Sequence, residues 1–206
     1  MRSMQVSHSL YIILLTVLFT ACGNTLSAEK YIQYAEDGAN GLRITRTMND
    51  VSFTAQYKPL DLLLAKHMRS QAEPDMNPGK YQAGTDSLLR FDFYILTAEG
   101  AEHPYRYQVT GSTAMKERRF YYEFGEVANA FYIEQAGGKK VYPFACRAEQ
   151  NGTMTNTLVL ECMFDAALPE KELMLCFEDR IFGKGIIKFR FDTEKLKNLP
   201  RLKTNS

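Results

Sequence analysis

Apolar residues recur at every second position along much of this chain. Val51, Phe53, Ala55 and Tyr57 alternate with Ser52, Thr54 and Gln56. A period of two places one set on a buried sheet face and the other on the opposite face, which predicts a strand. The same pattern predicts strands over Leu42–Thr47 and Leu88–Thr97, the second with Phe91, Phe93 and Ile95 opposite Asp92 and Tyr94. A short strand follows over Tyr105–Val109. Ala114–Phe124 fits either a helix or a strand carrying Phe120, Tyr122 and Phe124. The last third is the most regular. Ala130–Gln135 and Val141–Glu149 read as strands about Gly137-Gly138, a tight-turn signal. Asn151-Gly152 turns the chain again into Leu158, Leu160, Cys162 and Phe164, with Glu161 opposite. Leu173–Asp179 and the row Ile187, Phe189, Phe191 flank Gly183-Lys184-Gly185.

Helical signals are few. Tyr31–Asp37 has room for one or two turns before Gly38-Ala39-Asn40-Gly41 breaks it. Pro59 suits a first helical turn, and a helix from there to about Ser70 would turn Leu62, Leu63 and the Lys66 stem inward. Glu194–Asn198 offers a terminal turn stopped by Pro200. Short strands separated by glycine turns predict a mainly β or α+β fold, an antiparallel β-sandwich-like domain with one or two short helices.

The N-terminal region has a different grammar. An uncharged apolar run of about 12 residues follows Arg2, too short for a span that needs about 20. It ends in Phe19-Thr20-Ala21-Cys22, then polar Gly23-Asn24-Thr25. These residues resemble a bacterial lipoprotein signal, with Phe19 where such signals usually carry leucine. The resemblance implies a signal peptide over 1–21, cleavage before Cys22, diacylglycerol on its sulfur and an acyl chain such as palmitate on its new amine. Two or three acyl chains anchor stably where one does not. The expected organisation is a lipidated tether over 22–29, one β-rich domain over 30–200 and a tail over 201–206. Asn40-Gly41-Leu42, Gln56-Tyr57-Lys58-Pro59 and Phe177-Glu178-Asp179 before Phe182-Gly183-Lys184-Gly185 make the body similar to uncharacterised lipoproteins of Bacteroidota. No acidic residue follows Cys22 closely, so a lipid-anchored position on the outer membrane, facing the periplasm, is expected over the cell surface.

Composition narrows the partners. Lys and Arg number 25 against 24 Asp and Glu, and Arg2 is the only charge lost with the signal. A balanced surface argues against nucleic acid, which selects a basic face. The 13 Phe and 12 Tyr, with no Trp, supply ample core. The expected partners are membrane lipid, through acylated Cys22, and an envelope protein.

Candidate chemistry is sparse. Cys146 and Cys162 share parity with Phe144 and Phe164 across the Asn151-Gly152 turn, which allows either a cross-strand disulfide or two buried thiols. Cys176 has the parity opposite to Leu173, Leu175 and Phe177. Neither C-x-x-C nor Cys/His ligand spacing occurs, so neither metal nor cofactor is expected. His67 and His103 are the only histidines beyond the signal, and Gly111-Ser112-Thr113 lacks the nucleophile-elbow pattern. Asp61, Asp92, Glu99, Glu102, Glu161, Glu178 and Asp179 read as solvated strand-face or turn residues. Arg118, Arg119 and Tyr121 form an aromatic-basic candidate binding surface for glycan or peptide. The expected function is a non-enzymatic partner-binding or complex-subunit domain. The alternatives are a periplasmic hydrolase acting on glycan or peptide and a small-ligand carrier.

Overall fold

A computed structural model describes residues 25–49, 51–70, 88–97, 126–148, 157–180 and 182–204. The first described strand, β1 (Thr25–Leu26), leads into helix α1 (Ala28–Glu36). A 3-10 turn over Gly38–Asn40 follows, with the Asp37 carboxylate accepting from Ala39 N at 2.9 Å. Gly41 ends that turn at φ 80°, a left-handed conformation that favours glycine. The chain continues through β2 (Arg43–Met48), β3 (Val51–Tyr57) and helix α2 (Leu60–Ser70) to β4 (Leu88–Thr97). Then come β5 (Phe131–Glu134), β6 (Lys140–Val141), β7 (Ala145–Ala148), β8 (Thr157–Asp165), β9 (Glu172–Asp179) and β10 (Gly185–Asp192). Helix α3 (Thr193–Lys197) and β11 (Arg201–Leu202) complete the order.

The strands form two large antiparallel sheets, in the orders β2-β3-β4-β8-β7 and β10-β9-β5-β6. The fold is therefore α+β with a mainly β body. The inner faces meet through aromatic rings. Phe93 on β4 lies 4.9 Å from Phe131, 4.8 Å from Phe177 and 5.5 Å from Phe189, centroid to centroid, all three on the opposite sheet. Phe91 and Phe191 pair at 5.5 Å, and Phe53 and Phe177 at 5.9 Å. Each of these rings is fully buried. Burial of such a side chain contributes about 1.5–3 kcal/mol, so this interleaved layer dominates the stability of the sandwich.

The two longer helices lie on the outer face of the five-stranded sheet. Gln56, whose parity points it away from the core, donates from Nε2 to the Ala35 carbonyl of α1 at 3.2 Å. Lys66 of α2 reaches Asp92 on the same outer face at 3.9 Å. Helix α2 buries Leu62, Leu64 and Ala65. Leu64 thus takes the inward place expected for Leu63, because the helix faces both the sheet and α1. Asp192 caps α3, accepting from Glu194 N at 2.9 Å and Lys195 N at 3.4 Å.

Two expectations change. The single strand expected over Val141–Glu149 is two strands in different sheets, β6 beside β5 and β7 beside β8. Tyr142-Pro143-Phe144 carries the chain between them, and Pro143 lacks the N–H that a continuous ladder needs. The tether expected over 22–29 and the tail expected over 201–206 are also partly folded. β1 and β11 pair in parallel, with Thr25 opposite Arg201 and Leu26 opposite Leu202. Burial of Leu202 and a hydrogen bond from Lys203 N to Leu26 O at 2.8 Å fasten this pair.

Candidate functional site

Three features of the described residues carry chemistry or contact potential. The first is a polar network on the outer face of the five-stranded sheet. Lys58 leaves β3 on the polar parity, and its Nζ lies 2.8 Å from Asp92 Oδ1 and 3.1 Å from Glu161 Oε1. The second oxygen of Glu161 accepts from Arg147 at 2.6 and 2.9 Å. The single Tyr94 hydroxyl hydrogen has two acceptors within reach, Asp92 Oδ2 at 3.4 Å and Gln56 Oε1 at 3.3 Å, while the Arg43 guanidinium stacks 4.9 Å from the Tyr94 ring centre. Burial pushes the Lys58 ammonium toward neutrality, but Asp92 and Glu161 outweigh it and hold the group above its ordinary value. Glu161 is likewise pushed up by burial, then brought below the usual carboxylate range by Lys58 and Arg147. Both groups are locked in their charged forms, an arrangement suited to bracing strands rather than moving protons.

Several carboxylates expected to be solvated are therefore not. Asp92 is buried in this network and Glu161 is largely covered. Asp179 is buried because its carboxylate accepts from Phe182 N at 3.0 Å and Lys184 N at 2.8 Å, shaping the β9–β10 turn. Asp61 accepts from Leu202 N at 3.0 Å.

The second feature is an open groove of about 990 Å³ on the outer face of the four-stranded sheet. Its walls carry two ion pairs, Lys188–Glu134 at 2.6 Å and Arg190–Glu172 at 3.1 Å, with Met174 and Pro169 between. The Lys188 hydrogen bond holds Glu134 below its ordinary pKa, so this carboxyl does not act as a proton donor near neutrality. Cys176 lies under the same face and is free but buried, with its Sγ 3.6 Å from Glu134 Oε2. Burial, then the Glu134 charge, push its thiol up to about 11, which suppresses the thiolate that nucleophilic or redox work needs.

The third feature is the sheet crossover. Tyr142 and Phe144 are 51% and 59% exposed, an unusual outlay of aromatic surface when most rings among the described residues are buried. Tyr142 packs 6.1 Å from Tyr132, and Lys140 Nζ sits 4.1 Å over the Tyr132 ring. Phe144 N donates to Met163 O at 3.0 Å, and two residues later Cys146 is bonded to Cys162 in a disulfide between directly paired positions of β7 and β8. The crossover is thus held rigidly while its aromatic side chains face outward. Sequence periodicity hides it, because Tyr142 and Phe144 fit the parity of an unbroken strand. Pro143 between two aromatics was the available signal.

Of the residues singled out from sequence, the structure brings Cys146 and Cys162 together. Cys22, Arg118, Arg119 and Tyr121 lie outside the described residues, as do His103 and Ser112. His67 is half-buried late in α2. Among the described residues, no group of three or more His, Cys, Asp or Glu is placed to hold a metal ion. Among them, too, no helix is long and apolar enough to cross a membrane. Comparison of the chain with protein-family models, curated proteins and solved structures gives no match.

Proposed function

We propose that this chain is a bacterial envelope lipoprotein, anchored through acylated Cys22 on the periplasmic side of the outer membrane, whose β-sandwich docks onto another envelope protein through the Tyr142–Phe144 crossover. The observation that carries the docking half is the exposed pair Tyr142 and Phe144 on a segment pinned by the Cys146–Cys162 disulfide. Tyrosine and other aromatics bury large area at little entropic cost, and a pre-fixed segment reduces that cost further. The anchor half is supported by Phe19-Thr20-Ala21-Cys22 after its apolar run. Among the described residues, the mutually compensated charges and the suppressed thiol favour a binding role over the hydrolase alternative, and the ring-filled interior favours it over a carrier.

Two measurements test the halves separately. The intact mass of the mature protein should show cleavage before Cys22 with thioether-linked diacylglycerol and an N-acyl chain. An unmodified Cys22, or a cut elsewhere, defeats the anchor. A photocrosslinking amino acid at position 142 or 144 should trap one discrete adduct in intact cells, whereas the same group at exposed Ile186 should not. The absence of an adduct at 142 and 144, or the same adduct at all three positions, defeats the docking surface.

A further inference from the structure

We infer that the β1–β11 end of the domain is the face that rests on the bilayer, with the exposed basic side chains of Lys30, Arg201 and Lys203 meeting anionic lipid headgroups. This rests on the lipid anchor proposed at Cys22. The first argument is reach. Thr25 is the third residue after Cys22, so at most about 11 Å of extended chain separates the lipidated residue from β1. The headgroup layer alone takes up about 5–8 Å of that distance. A long tether would let the domain present any face to the membrane. This one does not, because β1 is built into the fold. Its partner strand is fastened on both sides, by Lys203 N to Leu26 O at 2.8 Å and by Leu202 N to Asp61 Oδ2 at 3.0 Å.

The second argument is charge. Lys30, Arg201 and Lys203 are exposed around this end. Of the acidic groups nearby, Glu29 is paired with Arg69 at 3.8 Å and the Asp61 carboxylate is engaged by Leu202 N. Glu29 is offset by Arg69, so the three exposed cations outnumber the one remaining Asp61 charge, which suits a surface of phospholipid phosphates. The third argument is which end stays away. Asp61, four residues beyond the end of β3, holds Leu202 N at 3.0 Å, so β11 lies by the C-terminal end of β3. Thr47 pairs with Ser52, five residues back along β3, about 17 Å from that end.

The test uses the full, acylated protein in vesicles of zwitterionic lipid with or without phosphatidylglycerol, containing a nitroxide-headgroup lipid. A fluorescent amino acid is placed at exposed position 204 or 47, leaving Lys203 in place. Quenching at 204 should exceed that at 47 by at least about threefold, given a contact-range quencher and a separation of about 17 Å. Lys30→Glu/Arg201→Glu/Lys203→Glu, and the milder Lys30→Gln/Lys203→Gln, should reduce quenching at 204 on anionic vesicles. Equal quenching at both positions in protein whose mass shows acylated Cys22 overturns the orientation and leaves the anchor standing. Failure of both variants to lower quenching on anionic vesicles overturns the headgroup contact. Absence of acylation in the mass spectrum overturns the anchor reading, and the orientation with it.

Discussion

Replacing Lys58 with methionine keeps most of the aliphatic stem and removes only the charge that two carboxylates share. With an effective dielectric constant of about 20, the contacts at 2.8 and 3.1 Å correspond to gross attractions of about 6 and 5 kcal/mol. Most of that offsets the cost of burying the three groups. What the substitution exposes is the reverse situation, because Asp92, at 4% side-chain exposure, loses its close partner. Breaking a buried pair from one side costs about 3–5 kcal/mol. Arg147 still serves Glu161, and Lys66 stands 3.9 Å from Asp92, so the lower end applies, about 3 kcal/mol. In urea, with a slope of about 2 kcal/mol/M, the unfolding midpoint should fall by about 1.5 M at pH 7 with an unchanged slope. Adding Asp92→Asn should restore at least about 1 kcal/mol, since the stranded charge is then gone. Acid supplies an internal check. Glu161 is held below its ordinary pKa, so its stabilisation is present above that ordinary value and is lost as pH falls through the folded one. Lys58 is held above its ordinary value, so its stabilisation is present below about 10.5 and is lost as pH rises through the folded value. The gap between wild type and Lys58→Met should therefore narrow near pH 3. A midpoint within about 0.3 M of wild type at pH 7, or a gap that widens in acid, would refute this account of the network.

Other consequences follow from the core and the thiols. Phe93→Ala, at the meeting point of Phe131, Phe177 and Phe189, should cost about 3–5 kcal/mol in denaturant unfolding, and a loss under about 1 kcal/mol would mean that the sheets do not pack through this ring. Cys146 and Cys162 are 16 residues apart, so Cys146→Ala/Cys162→Ala should lower stability by about 3 kcal/mol under oxidising conditions; equal stability would show that the bridge does not constrain the unfolded chain. In a Cys22→Ala background, Cys176 should react with a thiol-specific disulfide reagent only after denaturation, and full modification of the native protein within seconds at pH 8 would contradict its burial and its pKa of about 11.

The sandwich was legible where one face is buried and the other is polar. Val51–Tyr57 and Leu88–Thr97 were readable to the residue, and Leu173–Asp179 to within one of the observed Glu172–Asp179, since each apolar row faces the interior. Legibility failed where tertiary contact decides. Asp92 and Glu161 alternate as solvated residues do, and nothing local shows that Lys58, 103 residues before Glu161, will neutralise both. Two-residue strands such as β1 and β11 carry no period at all, so only their pairing reveals them. Leu63 and Leu64 are chemically equivalent, and the second neighbouring helix decides which turns inward. The crossover aromatics were hidden for a related reason, because parity continues through Pro143 although the ladder does not.

The pairing of β1 with β11 also sets the order in which the domain can be completed. These are the first and last described strands, and their register cannot exist until residue 202 is free. A chain emerging N-terminus first can assemble the β2–β3 hairpin early, from contacts close in sequence. Strand β1, although made before that hairpin, must wait for the final strand to fasten it. The segment synthesised first among the described residues is thus among the last to be secured. Until then Leu26 and the seat of Leu202 stand open, and trimming a few residues from the far end of the chain should loosen its beginning.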